Sequence, residues 1–451
     1  MTLPAHLSLR LPESDLPRIV IVGGGFAGLN LAKKLRRVKA QVVMLDRNNF
    51  HTFQPLLYQV ATAGLEPDSI AGPLRKTFER QPNYFFRMVR VTGVDLVNKR
   101  VQTLVGDVTY DYLVLANGSK TNYFNNQKIR DNALPLKRIV HALNMRSHVL
   151  QMFEQAVLTA DPEVRKALMH VVVVGGGPTG VEVSGALAEL RKHILPKDYP
   201  DLDWSQMKVY LVEGSDKLLG AMSEKSSADA LAYMQELGIE VITKTFVKDY
   251  DGEQAVLSNG DIIRTKSLVW AAGVIGNIPQ GFDEKQVSNN RLLVDEHNKL
   301  INTDNVFAIG DIAVMATEEN PQGHPMLAPV AIQHGLHLAE NFKRLFKAEP
   351  LKPFTYFDKG TMATIGRNKA VVDMPGGLHV KGFLAWIIWM FVHIMYLVGF
   401  RNRLITLNNW LWSYFTYDKG TRLIVRVFNQ KERVLSRQDA IVKDTPVEEL
   451  V

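Results

Sequence analysis

Short, continuous apolar runs divide most of the chain, and two of them end in glycines and lead into a helical pattern. The first run covers residues 18–22 and the second covers residues 170–174. β-Branched runs of this length, closed by glycine, are typical of strands buried on both faces of a parallel sheet. The pattern therefore predicts two strand–turn–helix units, with helices over about 26–38 and about 181–193.

The glycines of both turns have the spacing G-x-G-x-x-G: Gly23, Gly25 and Gly28 in the first, Gly175, Gly177 and Gly180 in the second. In such a turn the glycines allow a tight bend, a close approach of the backbone to a pyrophosphate, and close packing of helix on strand. The helix that follows directs unpaired N–H groups at the anion. One such turn is a weak signal, but two predict two dinucleotides. In a redox protein these are a tightly held flavin and an exchanging nicotinamide nucleotide.

An acidic residue ends the strand that follows each turn. Asp46 ends the run at 41–45, and Glu213 ends the run at 208–212. A carboxylate at this place accepts the hydroxyl groups of an adenosine ribose. The longer interval before Glu213 is explained by a polar insertion over about 195–206. Because a carboxylate repels a 2′-phosphate, Glu213 also predicts a preference for NADH over NADPH.

Later strands suggest that the second nucleotide unit is inserted into the first. Apolar runs end in glycine at 110–118 and 268–273, and a further run at 301–311 ends in Gly310 and Asp311. We therefore predict an α/β fold with two Rossmann-like dinucleotide-binding domains and a C-terminal membrane-associated helical tail. The predicted boundaries are 15–134 and 291–350 for an FAD-binding domain, 135–290 for an NADH-binding domain, 351–430 for a membrane-anchoring region, and 431–451 for a polar tail.

The most apolar stretch lies near the C-terminus. Residues 383–400 contain one ionisable side chain, His393, and 18 residues are just enough for a transmembrane helix. The next segment, 402–416, alternates polar side chains and leucines at helical spacing, which indicates an amphipathic helix at an interface. We favour insertion into one leaflet over a span, and a buried dimer interface is a third interpretation.

Charge and composition narrow the function classes. The net charge is +7, and six basic residues but one acid lie between Lys381 and Arg426, beside the apolar stretch, which favours a membrane surface over nucleic acid. The chain has no cysteine, which excludes disulfide reductases, sulfide:quinone reductases and thiolate metal sites. Residues 1–17 lack the pattern of a secretory signal, which predicts a cytoplasmic location.

Several motifs together resemble the type II NADH dehydrogenases, the non-proton-pumping NADH:quinone oxidoreductases among the flavoproteins with two dinucleotide-binding domains. The resemblance covers about residues 19–426. Its most specific parts are residues 50–62 (Phe-His-Thr-Phe-Gln-Pro-Leu-Leu-Tyr-Gln-Val-Ala-Thr) and the C-terminal tail. Gly175–Glu182, Phe307–Asp311 and Tyr356–Ala363 also match, while the glycine turns are common to the superfamily.

The resemblance implies two sets of cofactor contacts. Those for FAD are Gly23, Gly25, Phe26, Gly28, Asp46, Arg47, Ala116, Gly118, Gly310 and Asp311. Those for NADH are Gly175, Gly177, Pro178, Thr179, Gly180, Glu213, Ala272 and Gly273. Glu182 resembles the family glutamate near nicotinamide and quinone, although an acid in the first turns of a helix is also favoured by the helix dipole. No metal site is expected.

The quinone site departs from the family motif Ala-Gln-x-Ala-x-Gln-Gln-Gly. Residues 328–335 read Ala-Pro-Val-Ala-Ile-Gln-His-Gly, so Gln333 is kept while Pro329 and His334 replace glutamines. Gln333 can bind a quinone carbonyl or the flavin edge. His334 could donate a proton, although a helix-capping or solvated histidine is the favoured interpretation. Ala331 and Lys381 complete the predicted quinone contacts.

The resulting prediction is an enzyme that moves hydride from NADH to FAD and two electrons to a membrane quinone. Glu182 and Gln333 are the predicted catalytic residues, and the predicted partners are the quinone, the bilayer surface and a second copy of the chain. The expected location is the cytoplasmic face of the cell membrane. Two alternatives stay open: an NADPH-linked reductase of naphthoquinone precursors, and a membrane-attached NADH sensor with little turnover.

Overall fold

The computed structural model describes residues 8–318, 320–417, 420–424 and 428. The described residues form two compact units. The first falls within Met1–Thr52, Gly72–Lys120 and Val274–Asp358, and the second within Phe53–Ala71, Thr121–Gly273 and Lys359–Val451. The predicted polar tail at 431–451 lies outside the described residues. The α-helices, in chain order, are α1 (Phe26–Lys34), α2 (Leu57–Ala61), α3 (Leu74–Thr77), α4 (Gln127–Asn132), α5 (Ile139–Leu158), α6 (Pro162–Met169), α7 (Pro178–His193), α8 (Leu195–Asp198), α9 (Glu224–Glu236), α10 (Ala328–Leu345), α11 (Gly382–Tyr396) and α12 (Phe400–Thr416).

The first unit is built on a five-stranded parallel sheet. Its strands run in the order Val306–Ala308, Tyr112–Leu115, Arg18–Val22, Gln41–Asp46 and Tyr84–Met88. The apolar run that opens the chain is the central strand, and Ile19 lies between Tyr112 and Val42 in register. Ile19, Val20 and Ile21 are fully buried, as expected of a strand covered on both faces.

Shorter strands complete the first unit. They are Phe50–Thr52, Val91–Asp95, Arg100–Thr103, Gly106–Thr109, Val274–Gly276, Val287–Ser288, Arg291–Leu293 and Ala313–Val314, together with Ser119–Thr121, whose last residue belongs to the second unit. The three strands from Val91 to Thr109 form an antiparallel sheet.

The second unit repeats the parallel arrangement. Its five-stranded sheet has the order Leu134–Pro135, Ser267–Trp270, Val171–Val174, Val209–Val212 and Glu240–Ile242. Two antiparallel sheets belong to the same unit: Val247–Tyr250, Gln254–Leu257 and Ile262–Arg264, and then Thr361–Thr364, Ala370–Asp373 and His379–Lys381. The short strand Ala71–Pro73 crosses a boundary between the two units along the chain.

The helices follow the sequence pattern with differences at their ends. Helix α1 ends at Lys34, and a turn of 3-10 helix at Leu35–Arg37 takes the place of its last predicted residues. Helix α7 begins at Pro178 because proline fits the first turn of a helix, where its missing N–H costs nothing.

The C-terminal tail forms two helices, which correspond to the two segments predicted there. Helix α11 has 15 residues and ends before Gly399, whose φ of +92° turns the chain into α12. Among the described residues, we find no helix with both the length and the apolar character needed to span a bilayer.

Candidate functional site

The first glycine turn lies in the first unit and fits a pyrophosphate. Gly23 has a φ of +107°, and a Cβ there would come closer than 3.0 Å to the carbonyl of Ala116. A Cβ at Gly28 would likewise strike the carbonyl of Gly23, whereas a Cβ at Gly25 would meet no atom within 4 Å. Two glycines are therefore required by packing, and the space beside Gly25 is open. Gly25, which precedes α1, provides no side-chain cap, and the N-terminus of a helix attracts an anion.

Asp46 lies at the end of its strand and accepts a hydrogen bond from this turn. Its Oδ2 accepts a hydrogen bond of 2.6 Å from the N–H of Gly24, and its Oδ1 accepts one of 2.7 Å from Asn48. Burial raises the pKa of Asp46, and these bonds act in the opposite direction. Arg47 follows and is exposed, while the Phe26 ring packs edge-on against His51 at 5.0 Å.

Asp311 lies at a second turn of the same unit. Its Oδ2 accepts a hydrogen bond of 2.5 Å from the hydroxyl of Ser119. No local motif indicates this partner, because 192 residues separate the two. Gly118 and Gly310 both have positive φ, +66° and +74°. These turns favour glycine because of their left-handed backbone conformation.

The second unit contains a glycine turn with the same construction. Gly175 has a φ of +108°, and a Cβ at Gly180 would come closer than 3.0 Å to the Gly175 carbonyl. A Cβ at Gly177 would meet nothing within 4 Å. Pro178 and Thr179 are exposed at the start of α7.

Glu213 completes this second turn. Its Oε2 accepts a 2.5 Å hydrogen bond from Gly176, and its Oε1 accepts a 2.7 Å bond from Ser215. Ala272 and Gly273 follow the strand Ser267–Trp270, with Gly273 at φ +128°. The two units therefore repeat one arrangement of open glycine, uncapped helix and strand-end carboxylate, which fits two dinucleotides.

Glu182 lies one turn into α7 and is buried in the second unit, with 7% of its surface exposed. Its Oε1 accepts hydrogen bonds from the indole N–H of Trp389 at 3.2 Å and from the Thr364 N–H at 3.5 Å. Burial raises the pKa of Glu182 to about 8, and the two hydrogen bonds only partly offset it. The carboxyl group is therefore mostly protonated near neutral pH. The helix-dipole interpretation would instead require an ionised carboxylate.

A cavity adjoins Glu182 within the second unit. The volume of the cavity is about 140 Å³. Aromatic side chains make up much of its wall, namely Tyr58, Trp386, Trp389, Trp410, Tyr414 and Tyr417. Besides the tyrosines, the charged or titratable side chains in the wall are Glu182, Glu189, His193 and Arg367. The sequence motifs identified Glu182 but not its aromatic neighbours.

Of the other residues predicted to contact the quinone, Gln333 and Lys381 bond to other residues of the chain, and Ala331 is buried. The Gln333 amide donates to the Phe357 carbonyl at 2.9 Å and accepts from the Phe357 N–H at 3.0 Å. Ala331 is buried on the same helix, α10. Lys381 pairs with Asp229 at 2.8 Å with its side chain 58% exposed.

His334 contradicts one of the two forms of the favoured sequence interpretation, the solvated histidine. It is not solvated but 2% exposed, and its Nδ1 accepts a hydrogen bond of 3.1 Å from the N–H of Gly310. Burial lowers the pKa of His334 to about 3, so the ring is neutral and stays an acceptor at physiological pH.

Helix α12 turns its polar face inward. Asn402 and Thr406 are buried, and the Asn402 amide donates to the Ala71 carbonyl at 2.8 Å. Leu404, Leu407 and Leu411 are 39–51% exposed. Helix α11 also exposes large apolar side chains: Phe383, Leu384, Ile387, Phe391 and Met395. The two helices thus present an apolar surface outward, which in a water-soluble protein marks an interaction surface.

Two glycine turns, each closed by the acid that ends the next strand, define an oxidoreductase class that uses two dinucleotides. Comparison with known proteins agrees: the model described as pyridine nucleotide-disulphide oxidoreductase matches residues 17–335, and the NDH2 C-terminal domain matches residues 359–416. The chain is 36% identical over 420 residues to the type II NADH:quinone oxidoreductase Ndh of Mycobacterium tuberculosis, covering 89% of each chain. It is 30% identical over 386 residues to the type II NADH:quinone oxidoreductase of Haemophilus influenzae, covering 79% of this chain and 86% of that one.

The chain belongs to the type II NADH:quinone oxidoreductases. Its fold is similar to that of NDH2 from Plasmodium falciparum, solved in complex with NADH, with a TM-score of 0.83 at 23% identity over 91% of this chain and 100% of that one. The predicted family and α/β fold are confirmed. The residue assignments and domain boundaries stay predictions.

Proposed function

We propose that this chain oxidises NADH and reduces a membrane quinone with FAD as its resident cofactor. Family membership supports the reaction class. The observation that carries the proposal is the cavity of the second unit, where an aromatic wall meets the buried carboxyl group of Glu182. Flat apolar walls accept a quinone ring, and a protonated carboxyl group can supply the hydrogen that a reduced quinone oxygen needs.

The residues of the first glycine turn would hold FAD. The uncapped N-terminus of α1 and the open space at Gly25 fit the pyrophosphate, and Asp46 would accept the ribose hydroxyls. Asp311, held by Ser119, would bind a hydroxyl of the flavin side of the cofactor. When bound, FAD supplies the two-electron chemistry between NADH and the quinone. Catalysis by the protein is then mostly positioning of the two reactants.

The residues of the second turn would bind NADH, which exchanges with solution in each catalytic cycle. Its open glycine, Gly177, and the start of α7 fit the pyrophosphate, and Glu213 fits the adenosine ribose. A 2′-phosphate would lie against the Glu213 carboxylate, so we expect NADPH to be used poorly.

Reduction of a quinone to a quinol takes two electrons and two hydrogens. The hydride from NADH accounts for both electrons and one hydrogen, so one further proton is needed. Glu182 would deliver that proton from its carboxyl group to a quinone oxygen and then regain a proton from solvent. Its raised pKa, about 8, matches this task because the group must be protonated before the step and able to lose its proton during it. Gln333, Ala331, His334 and Lys381 stay predicted contacts of the quinone.

Helices α11 and α12 would insert into one leaflet of the membrane. The support is their outward apolar surface and the inward polar contacts of Asn402 and Thr406. Arg401, with its side chain 66% exposed, could meet anionic headgroups nearby. We place the enzyme on the cytoplasmic face of the cell membrane as a homodimer. Flotation of the full chain with anionic vesicles, lost when Phe391, Leu404 and Leu411 are replaced by Ser, would support insertion. Flotation that survives these changes would contradict it.

The function is tested with the purified, FAD-loaded full chain in detergent. NADH oxidation should depend on added quinone, with two electrons per NADH recovered as quinol. A preference for NADPH would favour the naphthoquinone-precursor reductase instead. NADH binding without turnover would favour the sensor and contradict the proposal.

A further inference from the structure

Helix α11 carries different residues on its two faces. Ala385, Trp389 and His393, spaced by four residues, form a buried stripe with exposures of 0%, 2% and 9%. Leu384 and Phe391 are more than half exposed on the other side. One helix therefore bears both the outward apolar surface and an indole group inside the second unit.

That indole group contacts the carboxyl group of Glu182. The Trp389 Nε1 lies 3.2 Å from Oε1, and Trp389 is the only side-chain donor to Glu182 among the residues that the structure describes. The backbone N–H of Thr364 is farther away, at 3.5 Å. An indole N–H can donate but never accept. It therefore bonds more strongly to an ionised carboxylate than to a neutral carboxyl group.

Packing holds the indole ring in one orientation. The His393 ring stacks on it at 4.0 Å with an interplanar angle of 25°, and the Trp410 ring lies at 5.6 Å. Tyr58 approaches its edge at 6.5 Å. Trp410 is itself fixed, because its N–H donates to Gln59 at 2.7 Å. Because this donor is already ordered, it does not need to reorganise when the charge on Glu182 changes.

We propose that Trp389 is a positioning residue that acts through Glu182. Its N–H holds the carboxyl group at the cavity wall and stabilises the carboxylate formed when the proton is given to the quinone. This inference rests on the proposed role of Glu182 in quinone reduction. It assigns to α11 a part in the chemistry besides its apolar outer surface.

Other titratable groups near Glu182 must be separated from it in any pH measurement. They are Tyr58 from α2, Glu189 and His193 from α7, Arg367 from the turn after Thr361–Thr364, His393 from α11, Tyr414 from α12, and Tyr417. Burial lowers the pKa of His393 to about 4 and raises that of Tyr58 well above its usual range. The raised pKa of Glu182 therefore lies away from both.

The test compares Trp389→Phe with Trp386→Phe in the FAD-loaded full chain. Both tryptophans line the cavity from α11, but the Trp386 ring faces Tyr414, and among the described residues only the Trp389 side chain donates a hydrogen bond to Glu182. The enzyme is first reduced by NADH without oxygen, then mixed with ubiquinone-1 between pH 5.5 and 10 while flavin reoxidation is followed. In wild type we expect the rate to fall above an apparent pKa.

Loss of the indole N–H should raise that apparent pKa by about one unit in Trp389→Phe. In Trp386→Phe the rate of flavin reoxidation can differ from wild type, but the apparent pKa of that rate should stay at the wild-type value. Reduction of the flavin by NADH is measured separately in each variant, so that an effect on that step is not counted as one on quinone reduction. If Trp389→Phe does not fold, replacement of Trp389 by 3-benzothienylalanine, which has sulfur in place of the N–H and nearly the same shape, gives the same comparison.

An unmoved apparent pKa in the Trp389 variant, or an equal shift in both variants, would overturn the inference. Glu182→Gln separates this failure from that of the proposed function. If Glu182→Gln keeps the wild-type pH dependence, the role of Glu182 is wrong and the inference falls with it. If Glu182→Gln abolishes the dependence while Trp389→Phe leaves it unmoved, only the inference is wrong.

Discussion

Replacing Glu182 by Gln should stabilise the protein at alkaline pH. The carboxyl group has a pKa of about 8 in the folded chain, against 4.5 in an unfolded one. Below pH 4.5 both states are protonated, and the group has no effect on stability. Between pH 4.5 and 8 the unfolded state loses its proton while the folded state keeps it, so the free energy of unfolding falls as pH rises. Gln has nearly the same shape and no such dependence.

The magnitude follows from the shift. Each pH unit between the two pKa values costs about 1.4 kcal/mol, so wild type should lose about 4 kcal/mol relative to Glu182→Gln from pH 5 to pH 8. For a folding unit of this size, about 2 °C of melting temperature corresponds to 1 kcal/mol. The difference in melting temperature between variant and wild type should therefore grow by about 8 °C.

Melting is followed by tryptophan fluorescence of the FAD-loaded chain at pH 5, 6, 7 and 8. The control is Met390→Leu, which changes the wall of the same cavity but removes no titratable group. Its melting temperature should run parallel to wild type. Parallel curves for Glu182→Gln and wild type would refute the reasoning, because they would mean that Glu182 ionises normally in the folded protein.

Three further predictions concern the nucleotide sites. Glu213→Gln removes the carboxylate expected to repel a 2′-phosphate, so the ratio of kcat/KM for NADH over NADPH should fall by about tenfold (~1.4 kcal/mol); an unchanged ratio would contradict the assignment. Gly180→Ala would force a Cβ closer than 3.0 Å to the Gly175 carbonyl, and we expect loss of NADH binding in titrations with FAD content kept; normal NADH affinity would argue against the site. His334→Leu leaves the buried N–H of Gly310 unpaired at a cost of about 1–3 kcal/mol, so FAD should dissociate at least tenfold more readily, whereas His334→Gln, which keeps an acceptor, should retain it; equal FAD affinity in both variants would contradict this.

The nucleotide turns were predictable because their signals are local. The bend at Gly23, the helix that starts at Phe26 and the acid at Asp46 lie within about thirty residues, and their spacing is dictated by strand and helix geometry. The same holds for Gly175 to Glu213 once the insertion is allowed for.

The environment of the site could not be predicted, because it depends on contacts between distant segments. Trp389 and Glu182 are 207 residues apart. His334 reads as a surface residue until the fold places it against Gly310. The periodicity of α12 was recognised, but nothing local indicates that Asn402 turns inward to Ala71, 331 residues away.

The central claim, electron transfer from NADH to a quinone through FAD, is tested most directly by anaerobic double mixing. The FAD-loaded chain is mixed with one equivalent of NADH, and the flavin absorbance near 450 nm is followed; ubiquinone-1 is then added. The account predicts rapid bleaching by NADH and rapid, complete recovery on addition of the quinone. A flavin that stays oxidised under NADH, or one that is reduced but not reoxidised by the quinone, would contradict it.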